Sequence, residues 1–386
     1  MKNSARIAAA IEVLDAINEG INAEQALSRW ARSSRYAGSK DRAAVRDYVF
    51  DVLRHLRSAG VRGGGKTGRA LMIGQVRGQG CNPEKLFDGN GYGPPLLSEI
   101  EKSVSDSPSV IGDCWDMPDW IIPLLKDSLG HDAERSALAL TKRAPVTLRV
   151  NIARCTLIKA AKMLANDGIV TNINSRADTA LIVTSGARQI RRSTAFELGF
   201  IELQDAASQA AVASVKGKGR ALDFCAGGGG KSLALAAGGW DVTAYDVAPE
   251  RMNDLPARAI RGGHKISVCS SDELAKVGKF DLVFCDVPCS GSGTWRRTPE
   301  AKWAITPEKL NEVLKKQADV LEKAISYVAV GGTLIYATCS LLKAENSTQV
   351  NHFLQKHQDW LKKRESCWPV DELGDGFFCA HLKMKQ

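Results

Sequence analysis

The sequence predicts an α/β protein in which a doubly wound parallel sheet follows a small α+β module and an all-α N-terminal region. Three observations carry that expectation. From about Gly219, strand-like runs (RALDF, DVTAYD, KISVC, FDLVFCD, GGTLIYATC) alternate with helical ones (KSLALAAG, PERMNDLPARAIR, TPEKLNEVLKKQADVLEKAISYV, KAENSTQVNHFLQKH). That alternation builds parallel sheets whose ligands sit at the carboxyl ends of the strands. From Pro145, VTLRVNI, LIKAAKMLANDG, IVTNIN and TALIVTSG read as strand, helix, strand and strand. Residues 4–59 instead repeat apolar positions at three and four spacing, as in ARIAAAIEVLDAI and SKDRAAVRDYVFDVLRHLRS.

Each element has its local reason. Ser39 is the expected N-cap of the second helical run, with Asp41 in its first turn. The stretch from Gly60 to Gly93 holds 11 glycines without periodicity and reads as a linker or long loop. Acidic, proline-punctuated helical sequence follows, SPSVIGDCWDMPDWIIPLLKDSLG. The helix LIKAAKMLANDG stops at Gly168, and the long C-terminal helix opens with Thr306 as N-cap and Pro307 at the first helical position. The expected partition is a helical domain over 1–75, a linker and helical segment over 76–140, the α+β module over 141–200 and the sheet domain over 201–386.

Composition narrows the class. With 44% hydrophobic and 25% charged residues the chain reads as soluble and globular, without a membrane partner. The N-terminus carries Glu12 and Asp15 within a helical pattern and does not read as a signal peptide, so a cytoplasmic location is expected. Ten cysteines without a C-x-x-C pair suit free thiols better than a disulfide scaffold or a structural zinc site, and no metal is expected. The net charge of +9 is unevenly placed. Residues 141–222 hold 13 basic and 5 acidic side chains, and residues 29–77 hold 12 and 3, whereas 223–386 hold 21 and 20. Two basic segments suit a polyanion such as RNA, or else solvated helix faces.

Two stretches join glycines to lysine and a hydroxyl. GVRGGGKT, Gly60 to Thr67, fits the phosphate-loop pattern, but a charged helix precedes it instead of a strand. It reads as a flexible basic loop. FCAGGGGKS, Phe224 to Ser232, does follow a strand and precede a helix, yet it fits neither the phosphate loop nor G-x-G-x-x-G. Asp246 ends the next strand, where an acid can hold the ribose hydroxyls of a nucleoside. NAD and S-adenosylmethionine both carry such a ribose; the methyl donor is the better match.

The cysteines decide further. Asp286-Val287-Pro288-Cys289 ends the fourth strand of the sheet domain, and Thr338-Cys339-Ser340 ends the fifth. Adjacent strands ending side by side bring both thiols and the aspartate towards one cleft. The stretches DVPCSGSGTWRRTPEAKW, GGTLIYATCSLLKAEN and FCAGGGGKS resemble the RNA cytosine-5 methyltransferases of the Sun (Fmu) type, a group that includes the bacterial 16S ribosomal RNA enzyme. The likeness extends to LRVN, LQDAASQAAV and GFFCAHLKMK, covering roughly 115–386. It implies a Rossmann-like S-adenosylmethionine-dependent catalytic domain, an RNA-recognition-like module at the +8 segment and, more distantly, a NusB-like helical domain at the N-terminus.

The resemblance also implies roles. Cys339 is the nucleophile at carbon 6 of cytosine, Asp286 assists at ring nitrogen 3 and Cys289 assists product release. DNA cytosine methyltransferases use the proline-cysteine position as nucleophile, so sequence logic alone favours Cys289; the resemblance to the RNA family is what places Cys339 in that role. The target base must be flipped or unstacked. The loop Cys225, Ala226, Gly227, Gly228, Gly229, Gly230 and Lys231 surrounds the methionine part of S-adenosylmethionine, Asp246 takes the ribose, Asp272 faces the adenine amine and Asp286 closes the pocket. Lys231 contacts the cofactor carboxylate or Asp286, or is a solvated first-turn lysine. Arg296, Arg297 and Trp303 position RNA, or form a structural turn with an aromatic anchor. Two positions depart from the family: Gly228 stands where proline is usual, loosening the loop, and Ser232 where threonine is usual. The expected protein is a monomeric methyltransferase acting on ribosomal RNA. Transfer RNA methylation, a catalytically silent assembly factor and an oxidoreductase on the same fold are the competing readings.

Overall fold

The computed structural model describes residues 1–104 and 106–385, which fall into two units. The first holds Met1–Lys126, Gly130–Arg143 and Trp295–Ala304; the second holds Asp127–Leu129, Ala144–Thr294 and Ile305–Gln386.

The first unit is helical. Helices α1 (Asn3–Asn18), α2 (Ala23–Ser33), α3 (Ser39–Arg54), α4 (Leu56–Gly63) and α5 (Gly68–Gly78) surround a core that includes Ile7, Leu14, Val45, Val49, Leu53, Leu71 and Ile73. Asn22 caps α2, its side chain accepting from the Glu24 and Gln25 amides. Ser39 is not a cap: Gly38 holds that position and Ser39 is the first helical residue. The glycine-rich stretch is no loop at its start, since α4 and α5 run through it. A Cβ on Gly63 would collide with the Ala70 carbonyl, and one on Gly74 with the Ala59 carbonyl. The glycines are there because two helix backbones touch, a use that leaves no periodicity for a sequence reading to find. The expected boundary at 75/76 falls inside α5, and 76–140 is mostly part of this unit, with helices at Glu99–Ser103, Ile111–Trp115, Ile121–Leu129 and Ala133–Thr141.

The second unit has two sheets. The smaller is antiparallel and joins β1 (Val146–Val150), β2 (Val170–Ile173), β3 (Ala180–Ser185) and β4 (Ile201–Leu203) in the order β2-β3-β1-β4. With the helix Leu157–Asn166 between β1 and β2, and the short helix Thr194–Glu197 before β4, this is the ferredoxin-like arrangement. The larger sheet joins β5 (Arg220–Asp223), β6 (Asp241–Ala244), β7 (Ile266–Val268), β8 (Phe280–Asp286), β9 (Val328–Thr338), β10 (Trp360–Trp368) and β11 (Phe377–Met384) in the order β10-β11-β9-β8-β5-β6-β7. Strands β5 to β9 are parallel, as the alternation predicts. The antiparallel pair β10 and β11 was outside that expectation. The strand order reverses between β5 and β8, which opens a crevice at their carboxyl ends. The two sheets are joined by buried polar links. Asn151 donates to the carbonyls of Gly199 (3.0 Å) and Gly262 (2.8 Å), and Arg149 to that of Gly230 (2.7 Å).

Candidate active site

The first wall of the crevice is the turn from β5 into the helix Gly230–Ala237. Gly227 and Gly229 adopt left-handed backbone angles, φ +50° and +78°, that open the turn. The Gly227 amide donates to Asp246 Oδ2 (2.7 Å), and the Ala248 amide to Asp246 Oδ1 (3.0 Å), fixing the carboxylate at the end of β6. Arg251 pairs with the same carboxylate at 3.1 Å. Asp223, fully buried at the end of β5, accepts from Ser232 Oγ at 2.6 Å, while its Oδ1 has no partner. Burial pushes its carboxyl up to about 6, against the opposing pull of Ser232 and Lys231.

The second wall carries the reactive groups. Asp286 at the end of β8 pairs with Ala337 in β9, so Cys289 and Cys339 leave neighbouring strands side by side. Their Sγ atoms lie 3.3 Å apart, and both thiols are free. The hydrogen bond with Cys339, joined by burial, pushes the Cys289 thiol well above its ordinary value. Lys231 is mostly buried and bonded directly to Asp286. Burial pulls its ammonium down, but the charge and hydrogen bond of Asp286 outweigh that and raise it. The solvated reading of Lys231 is therefore wrong.

The sequence-predicted residues divide. Cys225–Lys231, Asp246, Asp286, Cys289 and Cys339 meet around one crevice. Asp272 sits exposed in the short helix Ser271–Leu274 after β7, tied to the end of β6 by the 3.2 Å contact of Tyr245 and Ser271 hydroxyls. Two of the three RNA candidates are held by the helical unit. Arg296 is 2% exposed, and its carbonyl accepts from Arg54 Nε at 2.8 Å. Trp303 donates through Nε1 to the Leu53 carbonyl at 2.7 Å, and Lys302 to that of Arg54 at 3.2 Å. Lys302 and Trp303 satisfy carbonyls at the end of α3, and Arg296 is tied to the same helix through its own carbonyl, as a structural turn with an aromatic anchor would be. Arg297 is exposed. The sequence reading missed Arg251, Gln317 and Glu345. Glu345 stood inside a quoted motif, but a glutamate in a turn carries no signal of burial. At the Gly228 departure, Arg258 bonds the Gly228 carbonyl.

The residues present fit S-adenosylmethionine. Gly228 and Gly230 present bare backbone into open space, an added Cβ meeting only Arg258 at 3.4 Å and Gln204 at 3.6 Å respectively. The helix N-terminus beside Lys231 suits a carboxylate, and Asp246 stands at the end of β6, the position from which an acid takes ribose hydroxyls, where Arg251 pairs with it. Fold and site together define a Rossmann-like S-adenosylmethionine-dependent methyltransferase fold with a ferredoxin-like module. The family model for 16S rRNA methyltransferase RsmB/F matches residues 210–383, and that for the RsmF/B-like ferredoxin-like domain matches 117–189. A "Ribosomal RNA small subunit methyltransferase B" of Cronobacter sakazakii is 30% identical over 289 residues, 70% of this chain and 67% of the relative. One from Citrobacter koseri is 32% identical over 285 residues, 69% of this chain and 66% of the relative. The match thus spans about two-thirds of these relatives' length. The chain belongs to the RsmB/F methyltransferase family. Among solved structures, that of PH0851 superposes with a TM-score of 0.76 at 23% identity, covering 99% of both chains. NSun6 from Pyrococcus horikoshii gives 0.61 at 16%, covering 70% of this chain and 99% of that one. These likenesses concern the fold alone.

Proposed function

We propose that the protein methylates carbon 5 of a cytosine in RNA, using S-adenosylmethionine, with ribosomal RNA favoured over transfer RNA. The observation that carries this is the pair of thiols 3.3 Å apart beside the Lys231–Asp286 pair at the ends of β8 and β9. Carbon 5 of cytosine is a weak nucleophile. Addition of the Cys339 sulfur to carbon 6 turns carbon 5 into an enamine carbon, and nitrogen 3 receives the displaced electron pair with a hydrogen bond or proton from Asp286, which for that step must be wholly or partly protonated. S-adenosylmethionine, when bound, supplies the electrophilic methyl group. Transfer of the carbon 5 proton to a base, supplied by or through Cys289, then forms the carbon 5–carbon 6 double bond, expels Cys339 as its thiolate and restores the aromatic ring. The resemblance to the RNA cytosine-5 methyltransferases, together with the adjacency of the two thiols, supports Cys339 as nucleophile and Cys289 as the group that assists release, itself or through a base. The relatives' names, which specify small-subunit ribosomal RNA, support the substrate class.

The test uses labelled S-adenosylmethionine, unmodified total RNA and three proteins. Wild type is expected to label one RNA species, Cys339→Ala to be inactive and Cys289→Ala to accumulate a gel-stable RNA adduct. Methylation by Cys339→Ala together with an inactive Cys289→Ala reverses the roles. Failure of every protein to form an adduct with 5-fluorocytosine RNA leaves the silent assembly factor.

A further inference from the structure

The turn after β9 carries a buried acid that the reaction above leaves unused. Glu345 ends the short turn Lys343–Glu345 and is fully buried. Four donors converge on its carboxylate. Oε1 accepts from the Ser290 amide (2.7 Å) and Gln317 Nε2 (3.0 Å); Oε2 accepts from Ser290 Oγ (2.5 Å) and from Ser340 Oγ. Ser290 is the residue after Cys289, and Ser340 the residue after Cys339. One carboxylate therefore grips both cysteine turns. Gln317, from the helix Pro307–Ala324, also donates to the carbonyl of Pro288 at 2.9 Å, on the other side of Cys289. Ser292 Oγ lies 3.0 Å from Ser340 Oγ and accepts from the Leu341 amide at 2.8 Å.

Glu345 is itself fixed to β9. Tyr336 donates to its backbone carbonyl (2.6 Å), Thr338 Oγ1 to Asn346 Oδ1 (2.5 Å) and Asn346 Nδ2 back to the Ser340 carbonyl (2.9 Å). All four groups on the carboxylate are neutral. Burying a carboxylate this way is costly unless every donor is aimed, so the arrangement holds those donors in one geometry.

We propose that Glu345 is a positioning residue for the cytosine reaction, holding the Cys289 and Cys339 turns at the spacing that lets one sulfur add to the base and the other serve the same adduct. The inference rests on the proposed function of these thiols. Its chemistry also picks the control. The two partners of Oε1 are N–H groups that can only donate, while the two partners of Oε2 are hydroxyls that can rotate and accept. Glutamine, with its oxygen towards the N–H groups and its amide towards the hydroxyls, satisfies all four, and alanine satisfies none.

Two readouts test it. In the RNA-free protein, diamide takes two electrons and two protons from the thiols of Cys289 and Cys339, forming their disulfide and a hydrazine; mass spectrometry follows the rate. Wild type and Glu345→Gln are expected to cross-link alike, and Glu345→Ala at least about tenfold more slowly. In methylation, Glu345→Ala is expected to lose about 10²-fold in kcat with KM for S-adenosylmethionine little changed, and Glu345→Gln to recover most of the loss. Should Glu345→Ala not fold, Ser340→Ala, which removes one hydroxyl from the same carboxylate, is expected to slow cross-linking in the same direction. Cross-linking at the wild-type rate in Glu345→Ala or Ser340→Ala, or a Glu345→Gln as slow in kcat as Glu345→Ala, overturns the proposal. If wild type methylates no cytosine, the functional reading fails, while the cross-linking rates still decide the positioning role.

Discussion

Gly60–Thr67 and Cys225–Ser232 are built from nearly the same letters and do different things. The first matches a phosphate-loop pattern in full. It forms the end of α4, a turn through left-handed Gly64 and the start of α5, where Thr67 Oγ1 caps the Ala70 amide at 3.2 Å. Its lysine is exposed. The second matches no standard pattern, yet it turns from a buried parallel strand into a helix at the crevice, and its lysine is buried against Asp286. What separates them is the preceding element. A strand inside a sheet delivers its turn to the ligand edge, whereas a helix delivers it to the next helix. Glycine serves close backbone packing in one and an opened turn in the other.

The sharpest test of that contrast is the paired lysines. Lys231→Ala removes the cation bonded to Asp286 and is expected to cut RNA methylation by about 10²–10³-fold. Lys66→Ala, an exposed surface change, is expected to leave the rate within about twofold. Similar losses in both would put function at the helical stretch as well. The glycines give the next largest effect. Gly74→Val drives side-chain atoms into the Ala59 backbone and is expected to cost about 3 kcal/mol of stability in denaturant titration. Calorimetric S-adenosylmethionine binding is expected to persist, because the collision lies in the helical unit.

A third test separates the stretches by pH. Asp223, bonded to Ser232 of the second stretch, has its carboxyl pushed by burial from 3.8 up to about 6. Between those values the folded state keeps a proton that the unfolded chain has lost. The Asp223 contribution to stability is therefore fully present below about pH 4, is lost by about 3 kcal/mol as pH rises to 6, and is absent above that. Asp223→Asn is expected to flatten that window in chemical denaturation. An unchanged slope in Asp223→Asn would assign the titration elsewhere.

Much of this was legible from sequence where periodicity and strand-end position coincide. The parallel strands β5 to β9, the Thr306 cap and the convergence of Asp286, Cys289 and Cys339 all follow from alternation plus the rule that parallel strands end on one edge. Three things were hidden for physical reasons. Glycine in helix-to-helix contact looks like loop composition, so the stretch from Gly60 reads as a linker or long loop although the end of α4 and all of α5 lie in it. Arg296 and Trp303 look like an RNA-binding turn because their partners lie on a helix some 250 residues away in sequence, as in the Trp303–Leu53 bond and the bond from Arg54 to the Arg296 carbonyl. Glu345 binds through four neutral donors that come from three separate chain segments, a constellation with no sequence spacing to detect.

The smallest expected effect divides two adjacent glycines of the same turn. Gly229 has φ +78°, and a Cβ there would strike Leu255, so Gly229→Ala carries both backbone strain and a collision. Gly228 lies outside the left-handed region, and a Cβ there meets only the end of Arg258 at 3.4 Å. Gly228→Ala narrows the unfolded ensemble without native strain and is expected to stabilise by about 0.4–1 kcal/mol. If the bond from Arg258 already holds the Gly228 carbonyl as firmly as the family's proline would, KM for S-adenosylmethionine stays unchanged in Gly228→Ala. A clear fall in KM would mean that the loop in this protein is loose and that Arg258 compensates only in part.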